Sequence, residues 1–323
     1  MRSITIFTPT YNREKVLKRL YVSLTKQTCK DFVWLIVDDG STDNTEYLVK
    51  KWIAESSIDI KYVKQTNRGK SMAHNRAVRL TKTDLFVCLD SNDCVAPKTV
   101  EMIIQCWDKI KADNSITGIM SPKKVQFKDI KGKINIKTLP KYIKIKYDKK
   151  PYAKSFGDRY YIEEEKTKDG LVKTTLRNAY RVLGLNGEAL LVFRTSVISK
   201  YMFPNISGEK FVPEAYLYDL IDKNGTLAVL NRTLCIHRYQ IDGYTFNMSK
   251  LIKDNPKGYL LYIKQRLNDD KSIRLRFLDY IRYIAAAKII SEKRVLKKAG
   301  DTKIVLAAYP FGMLLYLLRY KRA

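Results

Sequence analysis

Four times before residue 94, a short strand-like run ends abruptly in a cluster of polar residues. Ser3–Thr8 runs into Pro9-Thr10-Tyr11-Asn12, Phe32–Val37 into Asp38-Asp39-Gly40-Ser41, Ile58–Val63 leads to Thr66–Lys70, and Asp84–Leu89 runs into Asp90-Ser91-Asn92-Asp93. Between them, apolar residues recur at helical spacing: Val16, Leu17, Leu20 and Leu24, then Leu48, Val49, Trp52 and Ile53, then a helix over Gly69–Leu80. Strands with little polar face are buried on both sides, and their alternation with helices predicts an α/β fold, a mostly parallel sheet with helices on both faces. Ligands of such sheets bind outside the carboxyl ends of the strands. The polar clusters occupy those ends, so they are expected to converge on one site. Ser41 or Thr42 is expected to cap the second helix.

The alternation continues through a helix over Thr99–Lys111 and a strand over Thr117–Ser121, then breaks in the lysine-rich stretch 123–154, read as loops or a small hairpin. Asn186–Arg194 is apolar enough for another core strand. Gly208–Glu214 reads as a loop opening a helix over Ala215–Lys223, and Leu227–Leu230 and Leu234–His237 as closing strands. Beyond about Asn247 the pattern is helical and basic to the end. With 61 Lys and Arg against 33 Asp and Glu, the formal charge is +28, which points to an anionic partner or to solvated lysine-rich faces. No nucleic-acid-binding module accompanies that charge, and no G-x-G-x-x-G follows the first strand, which disfavours a dinucleotide-binding dehydrogenase. Cys29, Cys88, Cys94, Cys106 and Cys235 form no C-x-x-C pair, and reduced, buried thiols are expected. The chain enters its first strand without an apolar leader, so a cytoplasmic location is expected.

An aromatic ring and an acid at neighbouring strand ends suit a nucleobase, because the ring can stack while the carboxylate accepts an imide N–H. Tyr11 and Asp38-Asp39 offer that pair, although Pro9 and Asn12 could equally form a turn and the acids could cap helices. Carboxylates at a strand end can also hold a hard divalent cation that completes its shell with water and phosphate oxygens. Asp90-Ser91-Asn92-Asp93 fits this, and its position beside the first cluster favours a ligand over a capped turn before Pro97.

Taken together and in this order, I-T-I-F-T-P-T-Y-N-R, V-D-D-G-S-T-D-N-T and L-D-S-N-D resemble the pattern of glycosyltransferase family 2, whose members have the GT-A (Rossmann-like) fold. The likeness is strong over residues 1–110 and looser over 185–240. With the boundary near residue 245 read from the pattern, it implies a catalytic domain over 1–245, with a nucleotide-binding half (1–110) and an acceptor-side half (111–245); the basic helical region over 246–323 is not covered by the likeness. It further implies that Thr8, Pro9, Tyr11 and Asn12 build the base and ribose pocket, that Asp39 pairs with uracil and that Asp38 supports the turn. Matching the family's acidic run puts the metal ligand at Asp93 and a supporting or sugar-contacting acid at Asp90, with Asn92 where a further acid is usual. Asn67–Arg76 resembles the family's N-x-G-x-x-x-x-R-N helix start, with Asn67 and Lys70 facing the donor and His74 standing where Arg is common. Glu214 matches the location of the general base, with Glu209 and Asp219 as alternatives. His237 and Arg238, ending a strand, are candidates for a metal ligand and a diphosphate contact.

The function so implied is inverting transfer of a hexosyl group from a UDP-sugar, with Mn²⁺ or Mg²⁺, to a glycan or lipid-linked acceptor in bacterial surface-polysaccharide synthesis. A catalytically weak, nucleotide-binding partner in such a complex is the alternative, motivated by Asn92 and the basic field. Ile304–Leu318 is almost wholly apolar and followed by Arg319-Tyr320-Lys321-Arg322. Its fifteen residues are short for a membrane span, and it is read either as an interfacial helix on an anionic inner leaflet or as a segment docked on the protein.

Overall fold

The computed structural model describes residues 3–126, 171–181, 185, 188–240, 242–269, 272–291 and 302–321. Most of the lysine-rich stretch expected to form loops or a hairpin, from 127 on, lies outside these. The chain divides into two units, Met1–Met202 with Tyr218–Ile241, and Phe203–Leu217 with Asp242–Ala323.

The first unit is built on a sheet whose first wing is parallel. Strands β1 (Ile4–Thr10), β2 (Phe32–Asp38), β3 (Asp59–Lys64) and β4 (Leu85–Cys88) lie in the order β3-β2-β1-β4. Helices α1 (Glu14–Thr25), α2 (Thr45–Glu55) and α3 (Lys70–Leu80) make the crossovers. β1 and β2 are buried along nearly their whole length, which is why they read as continuous apolar runs. Leu17, Leu20 and Leu24 turn the apolar stripe of α1 into the core. Tyr21, Trp34 and Trp52 stack there, with Tyr21 and Trp52 ring centroids 4.2 Å apart.

Beyond β4 the sheet becomes mixed and continues through β8 (Ala189–Arg194), β6 (Ile116–Gln126), β10 (Cys235–Arg238) and β5 (Asp93–Val95), in that order. After helix α4 (Thr99–Ile110) comes β6 (Ile116–Gln126), which runs five residues past the expected end at Ser121. The extension exists because β10 (Cys235–Arg238) pairs with it in parallel from Lys123 to Gln126. β8 (Ala189–Arg194) is antiparallel to both β4 and β6. β5 (Asp93–Val95), expected only as loop, pairs antiparallel with β10. Short β7 (Lys173–Thr174) and β9 (Thr226–Val229) complete the sheet at β6. The five cysteines are free thiols, Cys106 and Cys235 buried and the other three half-buried.

The second unit is helical. Glu209 accepts the Lys257 and Gly258 N–H groups at 2.9 and 2.8 Å, capping the helix Pro256–Asp269. This ties the 203–217 segment to the C-terminal helices. Asp279, wholly buried in the helix Ile273–Ile289, is held by Arg266 at 2.8 Å and Arg282 at 2.5 Å. The last helix, Thr302–Leu315, continues as a π-helical turn over Tyr316–Tyr320. It packs on Ile273–Ile289 at Gly312, where a Cβ would stand 2.6 Å from that of Ile284.

Gly118 in β6 is the tightest backbone approach in the sheet, since a Cβ there would meet the Val192 carbonyl oxygen at 2.0 Å. Gly118→Ala is expected to lower the stability of the first unit by about 3 kcal/mol in urea unfolding, the range of overpacking and backbone strain. A loss under about 1 kcal/mol would show that β6 and β8 separate at little cost.

Candidate functional site

The loops after β1, β2 and β3 are fastened to one another by the residues the sequence pointed to. Asn12 adopts φ +52°, a left-handed conformation that Asn tolerates, and its Oδ1 accepts the Thr42 N–H at 2.8 Å. Its own N–H donates to Ser41 Oγ at 2.8 Å. Asp38, fully buried, accepts the Ser41 N–H at 2.7 Å and the Tyr62 hydroxyl at 2.5 Å, supporting the turn. Gly40 has φ +86°, and a Cβ there would lie 3.0 Å from the Asn67 nitrogen, so both conformation and space require glycine. Ser41 is thus part of the turn, and neither it nor Thr42 caps α2. The N-cap position is Asn44, whose side chain makes no capping bond, and Asp43 before it accepts the Thr45 N–H at 3.0 Å.

Asp39 is bound as tightly. Its Oδ1 accepts from Gln65 Nε2 at 2.7 Å and the Arg68 N–H at 2.9 Å, and its Oδ2 from the Gly69 N–H at 2.7 Å. A carboxylate has about four acceptor directions, so roughly one is left for a ligand. Thr8 is wholly buried and accepts the Trp34 indole N–H at 3.0 Å, so its side chain supports β1 from within the core and does not line a pocket. Tyr11, by contrast, is 46% exposed and presents its ring to solvent at the end of β1. Pro9 is half-buried in β1 opposite Val37, and Asn67 half-buried in the loop before α3.

The acidic cluster lies at the end of β4. The antiparallel register of β5 and β10 puts Asp93 opposite His237, and His237 Nδ1 lies 2.6 Å from Asp93 Oδ1. The other oxygen, Oδ2, accepts Lys123 Nζ from β6 at 2.9 Å and the Asp90 N–H at 3.2 Å. Asp90 itself is paired with Lys70 at 2.5 Å. Burial alone pushes Asp93 up, but Lys123 and His237 hold it well below the usual carboxylate range. Burial likewise pushes Lys123 down, and Asp93 lifts it well above the ordinary lysine value. His237 is lowered by burial and raised, on balance, by its hydrogen bond to Asp93 and the charge of Glu188. Glu188 Oε2 lies 3.6 Å from His237 Nδ1, and its Oε1 accepts the Tyr239 hydroxyl at 2.8 Å.

One ligand atom from each of Asp90, Asp93 and His237 lies within 4.8 Å of the others. Two carboxylates and an imidazole form a donor set that suits a divalent cation, so these residues fit the group the sequence implied. Asn92 has a structural job: its Nδ2 donates to the Arg238 carbonyl at 2.5 Å, strapping the acidic loop to β10, while Arg19 donates to the Asn92 carbonyl at 2.8 Å.

Lys70 therefore sits in the acidic cluster by way of Asp90, and Arg238 contributes its backbone to the strap. His74 belongs to the core. Its ring lies edge-on to Phe7 and Phe86, and burial, with Lys70 nearby, lowers its pKa to about 3. Glu209 is committed to the helix cap, while Glu214 is half-buried just before the helix Ala215–Ile221, in the second unit. Lys123 and Glu188 were missed. Lys123 read as the start of a solvated lysine run, although it stands one residue past Pro122 and close behind an apolar strand, the position that singled out the other clusters.

The sheet edge thus gathers an exposed aromatic, a turn-supporting Asp pair and an acid–imidazole cluster, and likeness to known proteins places the chain among the glycosyltransferases. The sequence model of glycosyl transferase family 2 matches residues 5–168, and the chain belongs to that family. It is 34% identical over 113 residues to a chondroitin synthase of Escherichia coli, covering 35% of this chain and 16% of that protein. It is 34% identical over 105 residues to a validoxylamine A glucosyltransferase of Streptomyces hygroscopicus subsp. limoneus, covering 31% of this chain and 23% of that one. The matches thus span less than a quarter of these relatives' length. Among solved structures, Staphylococcus aureus TarS 1–349 in complex with UDP-GlcNAc shares the fold at TM-score 0.54 and 15% identity, over 98% of this chain and 92% of that one. A mannosyltransferase from Pyrobaculum calidifontis, in complex with GDP-Man and Mn²⁺, does so at TM-score 0.54 and 14% identity, over 98% and 88%.

Two outcomes follow from this geometry without any ligand. Asp39→Asn puts an amide against two or more N–H donors and is expected to cost about 2 kcal/mol. Hydrogen exchange should speed up at Arg68 and Gly69, and unchanged exchange would mean that Asp39 does not hold the loop. His74 has a folded pKa of about 3 against an ordinary 6.5, so between those values the unfolded chain binds a proton the folded one refuses. Stability should therefore fall on acidification through that window by about 1 kcal/mol per pH unit from this residue, and His74→Leu should remove that slope relative to the parent in urea unfolding at pH 6 and pH 4.

Proposed function

We propose that the chain transfers a sugar from a UDP-sugar, with inversion, to a hydroxyl of a glycan or lipid-linked acceptor in bacterial surface-polysaccharide synthesis. The observation that carries this reading is the cluster of Asp93, His237 and Asp90 on the sheet edge that also bears Tyr11 and Asp39. Tyr11 stacks on the base, and Asp39 uses its remaining acceptor direction on the base N–H. Pro9 and Thr8 set the end of β1 beneath them, Asn12 locks the loop, and Asn67 and Lys70 flank the diphosphate at the start of α3. Asp93 and His237, with Asp90, would hold Mn²⁺ or Mg²⁺, which supplies positive charge to the leaving diphosphate. Arg238 adds a further positive charge for it. The alternative of an inactive partner, motivated by Asn92 and the basic field, finds no support among the related proteins, and Asn92 has a structural role in the strap to β10.

Inverting transfer needs a base at the acceptor hydroxyl, and Glu214 is assigned that role from its place at the opening of a helix after the middle strands. Asp93→Ala and Glu214→Gln test the two roles separately. Glu214→Gln should lower kcat on the order of a hundredfold or more while leaving donor binding intact. Asp93→Ala should abolish the cation dependence of donor binding, read as the rise in Tm that a UDP-sugar produces with and without Mn²⁺. Near-normal turnover in both variants would overturn the assignment.

The last helix supports a cytoplasmic, peripheral location on the inner leaflet. By length and composition it reaches the lower limit of a membrane span over Lys303–Tyr320, 18 residues against the fifteen apolar ones read from the sequence. One side buries Val305, Ala308, Gly312 and Tyr320 within its own unit, while Leu306, Phe311, Leu314 and Leu318 are exposed. With Arg319 and Lys321 at its end, this face suits an interface lined with anionic headgroups. The Leu314→Ser, Leu318→Ser double variant should lose most co-sedimentation with phosphatidylglycerol vesicles, and undiminished binding would place the membrane contact elsewhere.

A further inference from the structure

We infer that Lys123 is a built-in occupant of the cation site, its ammonium taking the seat on Asp93 that a divalent ion must displace. The inference rests on the proposed cation-binding role of Asp90, Asp93 and His237. Lysine is rarely buried unless it is paired, and the Lys123 side chain is only 8% exposed while that of Asp93 is fully buried. Both oxygens of Asp93 are engaged, Oδ1 with His237 at 2.6 Å and Oδ2 with Lys123 at 2.9 Å. An ion bound to Asp93 on the Oδ2 side must take that oxygen from the ammonium, and two cations sharing one carboxylate repel strongly in a site shielded from water.

The backbone makes the competition unavoidable. Lys123 lies in β6 opposite Cys235 of β10, two residues before His237, so β10, paired with β5 on one side and β6 on the other, brings both His237 and Lys123 to Asp93. The ammonium has a second seat. Glu188 stands 3.6 Å from His237 with a third of its side chain exposed, and its charge acts on Lys123. Displacement from Asp93 towards Glu188 exchanges one carboxylate for another and leaves no buried charge alone. Without an ion the cluster stays charge-balanced through Lys123 and Lys70. Affinity for the ion is accordingly low until something anionic, such as a nucleotide diphosphate, arrives with it.

The test is Mn²⁺ binding to the purified full chain, followed by the loss of free Mn²⁺ signal in electron paramagnetic resonance. Lys123→Met, nearly isosteric and uncharged, should bind Mn²⁺ at least tenfold more tightly than the parent. Lys123→Arg should stay close to the parent, and Asp93→Asn should bind weakest. Equal affinity in the parent and Lys123→Met, or weaker binding in the latter, overturns the inference while the cation site stands. No saturable binding in any of these proteins, with or without UDP, overturns the cation site itself. Amine labelling of the unmodified chain, read by mass spectrometry, gives an arm that does not depend on a folded variant. Lys123 should label several-fold faster with saturating Mg²⁺ and UDP than without, and unchanged or slower labelling overturns the displacement.

Discussion

A single carboxylate, that of Asp93, holds the middle of the sheet together. It is fully withdrawn from water, and a buried charge is tolerated only with partners that satisfy it. Those partners come from two other strands, His237 on β10 and Lys123 on β6. Removing one partner of such a pair typically costs about 3–5 kcal/mol. The three-residue β5 pairs antiparallel with β10, and the Asp93–His237 bond adds a side-chain tie across that ladder. The register of the three strands brings these groups together, and their pairing in turn favours that register.

The same economy appears at the ends of β1 and β2. Asn12, Asp38 and Asp39 each commit hydrogen-bonding capacity to neighbouring loops, so the surface proposed to face the donor is fixed by the chain's own bonds. Pre-organisation of this sort reduces the ordering cost of binding. It also explains why residues of one motif divide so unevenly: Thr8 is sealed under Trp34 and Tyr11 is open to solvent, although three positions apart.

The parallel wing was legible in the sequence because burial on both faces leaves long apolar runs, as in Phe32–Val37, and because polar clusters mark their ends. The helix α1 was legible from its leucines. The reversal of direction at β8 was not, since an apolar strand such as Ala189–Arg194 carries no sign of its orientation. Nor was β5, whose three residues have no period, or the continuation of β6 through Lys123, where a lysine reads as solvent-facing until its buried partner is known. Acid identity was visible in Asp38, Asp39, Asp90 and Asp93. Their side-chain partners Lys70, Gln65 and His237 lie 20, 26 and 144 residues away, and pairing at that distance is tertiary information.

The chain passes from the first unit to the second at residue 203, back at 218 and forward again at 242. The short stretch 203–217 therefore travels with the C-terminal helices, fastened by Glu209 over the start of one of them and by Lys210, whose N–H donates to Asn255 at 2.6 Å. As a unit of inheritance the tail is discontinuous. A recombination event, natural or engineered, that exchanged only the residues after 242 would sever those ties, so tail and loop are expected to be inherited as one block.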